Sequence, residues 1–232
     1  MKLFVDSANP EYIRKVNEWG LLGGVTTNPT LIAKHFEEHV LAGQKSGGEQ
    51  TQIEVQKRIL KEICGIAPVD VLAEPLSSDY KSIMDEAMQL VKISPQHVVA
   101  KIAMTADGVR AVSELSGKNI KTALTLIFSL EQALVAAVAG ADYICPFVGR
   151  LDDTGVNGMD LIRDIVTIYK NYGFKTKVVV ASVRNTEHII KSAIYGADAV
   201  TVPFKIIEGL FKHPLTDVGI KKFLEDWAKV SK

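Results

Sequence analysis

The sequence predicts a closed (β/α)8 barrel, and three observations lead to it. Eight short, β-branched apolar runs alternate with longer helix-like segments along the whole of the 232 residues. Some of those runs are apolar without a break, as in Val178-Val179-Val180-Ala181. Such runs suit parallel strands buried on both faces better than hairpins wet on one side. The length also fits one such barrel, and 47% hydrophobic residues are enough to bury a large core. Regular βα alternation specifies a parallel sheet, and eight units point to closure within a single domain over residues 1–232.

The strands are expected at residues 3–8, 24–28, 69–74, 98–103, 122–128, 143–148, 177–182 and 199–204. Asn28 stands before Pro29, which biases it away from helical geometry and ends the second strand there. The widest gap between strands holds a polar stretch at residues 43–50, expected as a surface loop between two helical pieces. Two later segments repeat one pattern. Ala139-Gly140-Ala141-Asp142 leads into the sixth strand, and Tyr195-Gly196-Ala197-Asp198 leads into the eighth. In each, the glycine sits where a helix would end in a left-handed conformation. Residues 214–232 read as one more helix, with Val218, Phe223, Leu224 and Trp227 at helical spacing. It follows a barrel that is already complete, so its apolar stripe must cover the barrel's own flank or a neighbouring subunit. The neighbour is the favoured reading.

Charge excludes some classes of partner. The 27 basic side chains equal the 27 acidic ones, which leaves no electrostatic case for nucleic acid or an anionic membrane. An anionic ligand would have to be held by a few placed basic groups. The two cysteines, Cys64 and Cys145, are far apart and fit neither a disulfide framework nor a metal site. The apolar run at the N-terminus is too short for a signal peptide, and no stretch approaches the roughly 20 apolar residues of a membrane span. A cytoplasmic protein is expected. His35, His39, His97, His188 and His213 show no metal-ligand spacing and read as surface or loop residues.

In an α/β barrel the active site forms at the C-terminal ends of the strands. Read in order, those ends present Asp6, Thr26-Thr27-Asn28, Glu74, Lys101, Thr125, Arg150, and then Ser182 with Arg184. The eighth offers Thr201 and little else. Lys101 carries the most information, because apolar residues flank it on both sides in Val98-Val99-Ala100-Lys101-Ile102-Ala103. Burial disfavours a lysine's charged form, and a free amine is what attack on a carbonyl requires. The alternative is a lysine that snorkels outward or pairs with a carboxylate. Asp6 and Glu74, on separate strands, would converge in a closed barrel and divide acid and base work, or one would form that ion pair. Asn28 can bind sugar hydroxyls or cap the next helix. Arg150, Ser182 and Arg184 suit a phosphate, because the guanidinium fork matches its oxygens and a hydroxyl adds a donor.

These residues resemble the transaldolase family, in its short-chain branch, over nearly the whole chain. The resemblance is carried by Leu3-Phe4-Val5-Asp6-Ser7-Ala8, Gly24-Val25-Thr26-Thr27-Asn28-Pro29-Thr30 and Val99-Ala100-Lys101-Ile102. It continues through Pro146-Phe147-Val148-Gly149-Arg150-Leu151-Asp152-Asp153, Val180-Ala181-Ser182-Val183-Arg184-Asn185 and Val200-Thr201-Val202-Pro203. It implies a cofactor-free, metal-free enzyme of the pentose phosphate pathway that moves a dihydroxyacetone unit between sugar phosphates. Lys101 would form a Schiff base with the C2 ketone of fructose 6-phosphate or sedoheptulose 7-phosphate. Asp6 would take the C4 hydroxyl proton, while Glu74 and Thr125 handle proton transfer through a water. Thr27, Asn28, Ala123, Cys145 and Phe147 would line the substrate, and Arg150, Ser182 and Arg184 would hold its phosphate. Pentamers and decamers are the assemblies the resemblance implies.

A sister group, the fructose-6-phosphate aldolases, releases free dihydroxyacetone and tends to carry Gln where Glu74 stands and Tyr where Phe147 stands. On both positions the chain resembles transaldolases. It departs from them at Ala123, where an Asn is usual, at Cys145, where a Ser is common, and at Ala103, where a Pro is usual. A third reading, a sugar-phosphate-binding barrel without catalysis, predicts no adduct on Lys101.

Overall fold

The structure, a computed structural model, describes residues 1–41 and 51–230. The surface loop expected at residues 43–50 lies outside the described residues, as does the side chain of His39. The elements run β1 (Lys2–Asp6), α1 (Pro10–Glu18), β2 (Gly24–Thr26), α2 (Pro29–Leu41), α3 (Gln52–Cys64), β3 (Val71–Ala73), α4 (Tyr80–Val91) and β4 (Val98–Ala103). They continue with α5 (Ala106–Gly117), β5 (Thr122–Ile127), α6 (Leu130–Val138), β6 (Tyr143–Pro146), α7 (Val148–Asp152) and α8 (Gly158–Tyr172). The chain closes with β7 (Lys177–Val180), α9 (Thr186–Tyr195), β8 (Ala199–Val202), α10 (Phe204–Gly209) and α11 (Pro214–Val230).

All eight expected strands are present, and they close into a parallel barrel in sequence order, with β8 pairing back on β1. Seven of the eight end earlier than expected, by one or two residues; only β4 matches at both ends. The chain leaves the ladder there to build the loops above the barrel, and Pro29, Pro75 and Pro203 follow three of those exits. Side chains alternate between two apolar layers. Val98, Ala100 and Ile102 face the surrounding helices, while Val99 faces the barrel interior with Phe4, Leu72, Ala123, Tyr143 and Val179. Gly24 belongs to that interior, because a Cβ there would lie 2.5 Å from the Phe4 ring. At the N-terminal end the Tyr143 hydroxyl donates to Asp70 at 2.6 Å, and Lys121 pairs with the same carboxylate at 2.8 Å.

The helices start on side chains that take up their first free N–H groups, such as Thr105 for α5, Ser129 for α6 and Asn185 for α9. Both repeated segments behave alike. Gly140 and Gly196 each sit at φ +84°, as expected for helix exits. The aspartate two residues on then caps the start of a neighbouring strand: Asp142 accepts from Thr122 N–H and Asp198 from Val178 N–H, both at 2.8 Å. No side chain along helix α11 is buried against its own barrel. No helix among the described residues is long and apolar enough to cross a membrane.

Candidate active site

The period of two that puts Phe4 and Val99 inside the barrel also puts Asp6 and Lys101 there, one layer higher. Leu72 leads in the same way to Glu74, Ala123 to Thr125, and Ala199 to Thr201. The strand-end residues converge because they are the next inward positions after an apolar floor. Above that floor lies a pocket of about 270 Å³ lined by Asp6, Thr26, Thr27, Asn28, Lys101, Thr125, Cys145 and Phe147. Arg150, Ser182, Arg184 and Thr201 line it too. It therefore collects ten of the twelve residues singled out from the sequence.

Glu74 joins the site through Lys101 and does not line the pocket: their side chains form an ion pair, 14% and 5% exposed. This is the carboxylate pairing weighed above for the lysine, and it places a proton acceptor on the amine. Gln56, a buried residue of α3, holds Glu74 in place by donating to its carbonyl at 2.8 Å. Ala123 differs from expectation. It is fully buried beside Lys101 in the ladder, within the apolar floor and outside the pocket lining. Its methyl side chain is too short to rise into the cavity.

Asp6 pairs in register with Thr26, whose hydroxyl donates to Asp6 Oδ1 at 2.8 Å. Desolvation raises the Asp6 pKa, against the lowering effects of the Thr26 hydrogen bond and the Lys101 charge. Thr201, which the sequence left without a role, meets Thr26 across the barrel closure at 2.6 Å between hydroxyls. The Thr27 hydroxyl donates to the Leu72 carbonyl at 3.2 Å. Asn28 lines the pocket and also caps α2, accepting from Leu31 N–H at 2.9 Å, so both of its expected roles coexist. The Thr125 hydroxyl is buried and has no hydrogen-bond partner among the described residues. Just after it, Leu126 sits at φ +59° where the β5–β6 register shifts, a strained position of the kind found beside functional sites. Burial pushes the Cys145 thiol up to about 12, so it stands in the site as a neutral group.

The rim carries the cations. Arg150 lies over the Phe147 ring, 5.0 Å from its centroid, and Phe147 packs edge-on against Phe128. Arg184 reaches Asp153 at 2.9 Å and passes over Gly149, where a Cβ would lie 2.7 Å from its side chain and 2.2 Å from the Ser182 carbonyl. Gly149 thus lets the β6 and β7 loops touch and brings the two arginines to one rim. Ser182 sits at φ +59° between them. Two of the histidines correct the surface reading: His35 and His188 are buried, at 7% and 5% exposure. Each has one charged and one apolar neighbour in sequence, Lys34 and Phe36 or Glu187 and Ile189, which leaves its burial undecided from the sequence.

The chain matches the family described as Transaldolase/Fructose-6-phosphate aldolase over residues 3–232. It is 48% identical to a probable transaldolase of Thermodesulfovibrio yellowstonii, covering 100% of both chains. A probable transaldolase of Petrotoga mobilis is 45% identical over 99% of this chain and 96% of its own length. Among solved structures, a thiamine phosphate pyrophosphorylase from Pyrococcus furiosus superposes with a TM-score of 0.58, covering 87% of this chain and 85% of that one. At 17% identity that likeness bears on the fold alone.

Proposed function

Because the chain belongs to the transaldolase/fructose-6-phosphate aldolase family, we propose that it transfers a dihydroxyacetone unit from a ketose phosphate to an aldose phosphate. The observation that carries this reading is the buried Lys101–Glu74 pair, with Lys101 and the Asp6 carboxylate lining one cavity. Glu74 takes the proton from the Lys101 ammonium, and the free amine attacks the C2 carbonyl of fructose 6-phosphate or sedoheptulose 7-phosphate. The carbinolamine loses water as protons pass between Glu74 and the Thr125 hydroxyl by way of a bound water. Asp6 then removes the C4 hydroxyl proton. Its raised pKa makes it a stronger base than an ordinary carboxylate. The C3–C4 bond breaks, its electron pair passes into the imine as an enamine, and an aldose phosphate leaves. The enamine adds to the carbonyl of the acceptor, and hydrolysis frees Lys101.

Thr27, Asn28, Cys145 and Phe147 shape the part of the pocket that holds the three-carbon unit, and Ala123 supports it from below. Arg150, Ser182 and Arg184 take the phosphate at the rim. The reaction places the enzyme in the pentose phosphate pathway of the cytoplasm, acting without metal or cofactor. Helix α11, with Phe223 and Trp227 exposed, docks on a neighbouring subunit of a pentamer or decamer.

Borohydride reduction in the presence of fructose 6-phosphate tests the chemistry. A stable adduct on the peptide that contains Lys101 is expected, and an unmodified Lys101 would overturn the proposal. One observation favours a second reading, the fructose-6-phosphate aldolase: the residue paired with Lys101 in the ladder is Ala123, which offers the enamine no hydrogen bond. Release of free dihydroxyacetone at the same rate with and without an acceptor aldose phosphate would select it over transfer.

A further inference from the structure

His188 is a buried polar side chain that the proposed chemistry does not use, and it ties together the two halves of the cationic rim. Its Nδ1 accepts from the backbone N–H of Arg184 at 3.3 Å. That nitrogen therefore carries no proton, and the ring proton lies on Nε2. Nε2 is 2.9 Å from Asp152 Oδ2, and the other oxygen of Asp152 accepts from Gly158 N–H at 2.9 Å. Asp152 ends α7, the short helix that bears Arg150. One imidazole thus joins the backbone beneath Arg184 to the helix beneath Arg150.

The His188 backbone is itself held. Asn185 accepts from the backbone N–H of His188 at 2.9 Å, and the Ser192 hydroxyl donates to its carbonyl at 2.6 Å. By contrast, both arginine side chains are exposed, and Arg184 is drawn outward to Asp153. A fixed separation of their backbones lowers the cost of bringing two exposed guanidiniums onto one phosphate.

We propose that His188 is a positioning residue for phosphate recognition: it sets the spacing of Arg150 and Arg184 and does not itself touch the substrate. The inference rests on the reading of Arg150, Ser182 and Arg184 as the phosphate site, and it extends that reading to a buried group behind the rim.

Two ligands separate the roles. Dihydroxyacetone forms an imine with Lys101 without any phosphate, whereas fructose 6-phosphate engages both ends of the site. The measurement is the concentration of each that gives half-maximal borohydride trapping, with inorganic phosphate as competitor. In His188→Leu the midpoint for fructose 6-phosphate is expected to rise about tenfold, the scale of one lost positioning hydrogen bond, and competition by phosphate to weaken in parallel. The midpoint for dihydroxyacetone is expected to stay within about twofold of the wild type. His188→Asn can still accept from Arg184, and His188→Gln can still donate to Asp152. Each is expected to fall between wild type and His188→Leu, and they carry the test if the leucine variant does not fold. Equal shifts for both ligands in the folded variants, or none for either, overturn the role of His188 alone. Wild-type protein that traps neither ligand overturns the catalytic reading itself, and the inference with it. Wild-type protein with equal midpoints, insensitive to phosphate, removes the phosphate site.

Discussion

The Lys101 ammonium and the Glu74 carboxylate face each other as an ion pair beside the pocket, from the interior of β4 to the residue that follows the neighbouring strand β3. In the proposed mechanism Glu74 serves the lysine twice, holding it in position and accepting its proton. Glu74→Gln keeps an oxygen near the amine and removes the base. Imine formation with fructose 6-phosphate is expected to slow by roughly 10²-fold or more, while adduct still accumulates on long incubation. Rapid-quench borohydride trapping measures this, and a wild-type rate would exclude Glu74 as the proton acceptor.

Asp6→Asn should separate stability from activity. Desolvation raises the folded-state pKa of Asp6 above its ordinary value of 3.8, so the folded protein binds the proton more tightly than the unfolded chain. The contribution of this group to stability is fully present below 3.8 and is lost as pH rises through the higher folded value. Asparagine carries no charge to desolvate and can still accept from Thr26. The variant should melt above the wild type at pH 7, with the difference closing as pH falls toward 4, while cleavage drops by about 10²–10⁴-fold. Melting curves across that range check it, and a variant less stable at pH 7 would contradict the argument.

Thr125 offers the same separation by another route. Its buried hydroxyl has no hydrogen-bond partner among the described residues. Thr125→Val removes the hydroxyl at nearly constant volume, so stability is expected to stay within about 1 kcal/mol of the wild type or to rise. Turnover is expected to fall by at least about tenfold if the hydroxyl relays protons. Denaturant unfolding and steady-state rates on one preparation give both numbers; intact turnover would remove Thr125 from the mechanism.

Gly149→Ala should damage the rim specifically. The added methyl would stand 2.2 Å from the Ser182 carbonyl oxygen, a backbone atom that cannot swing aside. A stability loss of about 1–3 kcal/mol is expected from the forced backbone shift. The KM for fructose 6-phosphate should rise about tenfold, as the arginines move apart. Unchanged KM in a folded variant would show that the β6–β7 contact does not shape phosphate binding.

Removing residues 214–232 tests the docking of α11. Exposed apolar side chains along a helix with no buried residue predict loss of assembly with retention of the barrel. Analytical ultracentrifugation should show smaller particles with unchanged circular dichroism per barrel residue. A truncated chain of wild-type size would place α11 outside the subunit contacts.

Much of this site is legible in the sequence, because the β-strand repeat of two is local. Once Val99 faces inward, Lys101 must as well, and the same step carries Phe4 to Asp6 and Ala123 to Thr125. The repeated Gly-Ala-Asp segments are legible for a similar reason: a helix exit and a strand start lie within four residues of each other. Ala123 marks where that reasoning stops. Its inward direction follows from the pattern, but its depth in the floor depends on how far β5 is staggered against β4, which no local pattern records.

What the sequence determines by itself is therefore the barrel, the strand order, and the identity of nearly every group that faces the cavity. Only the tertiary structure decides which of those groups meet. Thr26 reaches Thr201 because β8 closes on β1, across 175 residues of chain. Arg184 crosses Gly149, and His188 bridges to Asp152, because the β6 and β7 loops lie edge to edge above the closed barrel. Hydrophobic periodicity sets the direction of each side chain; closure and stagger set its neighbours, and those arise only when all eight strands pack at once.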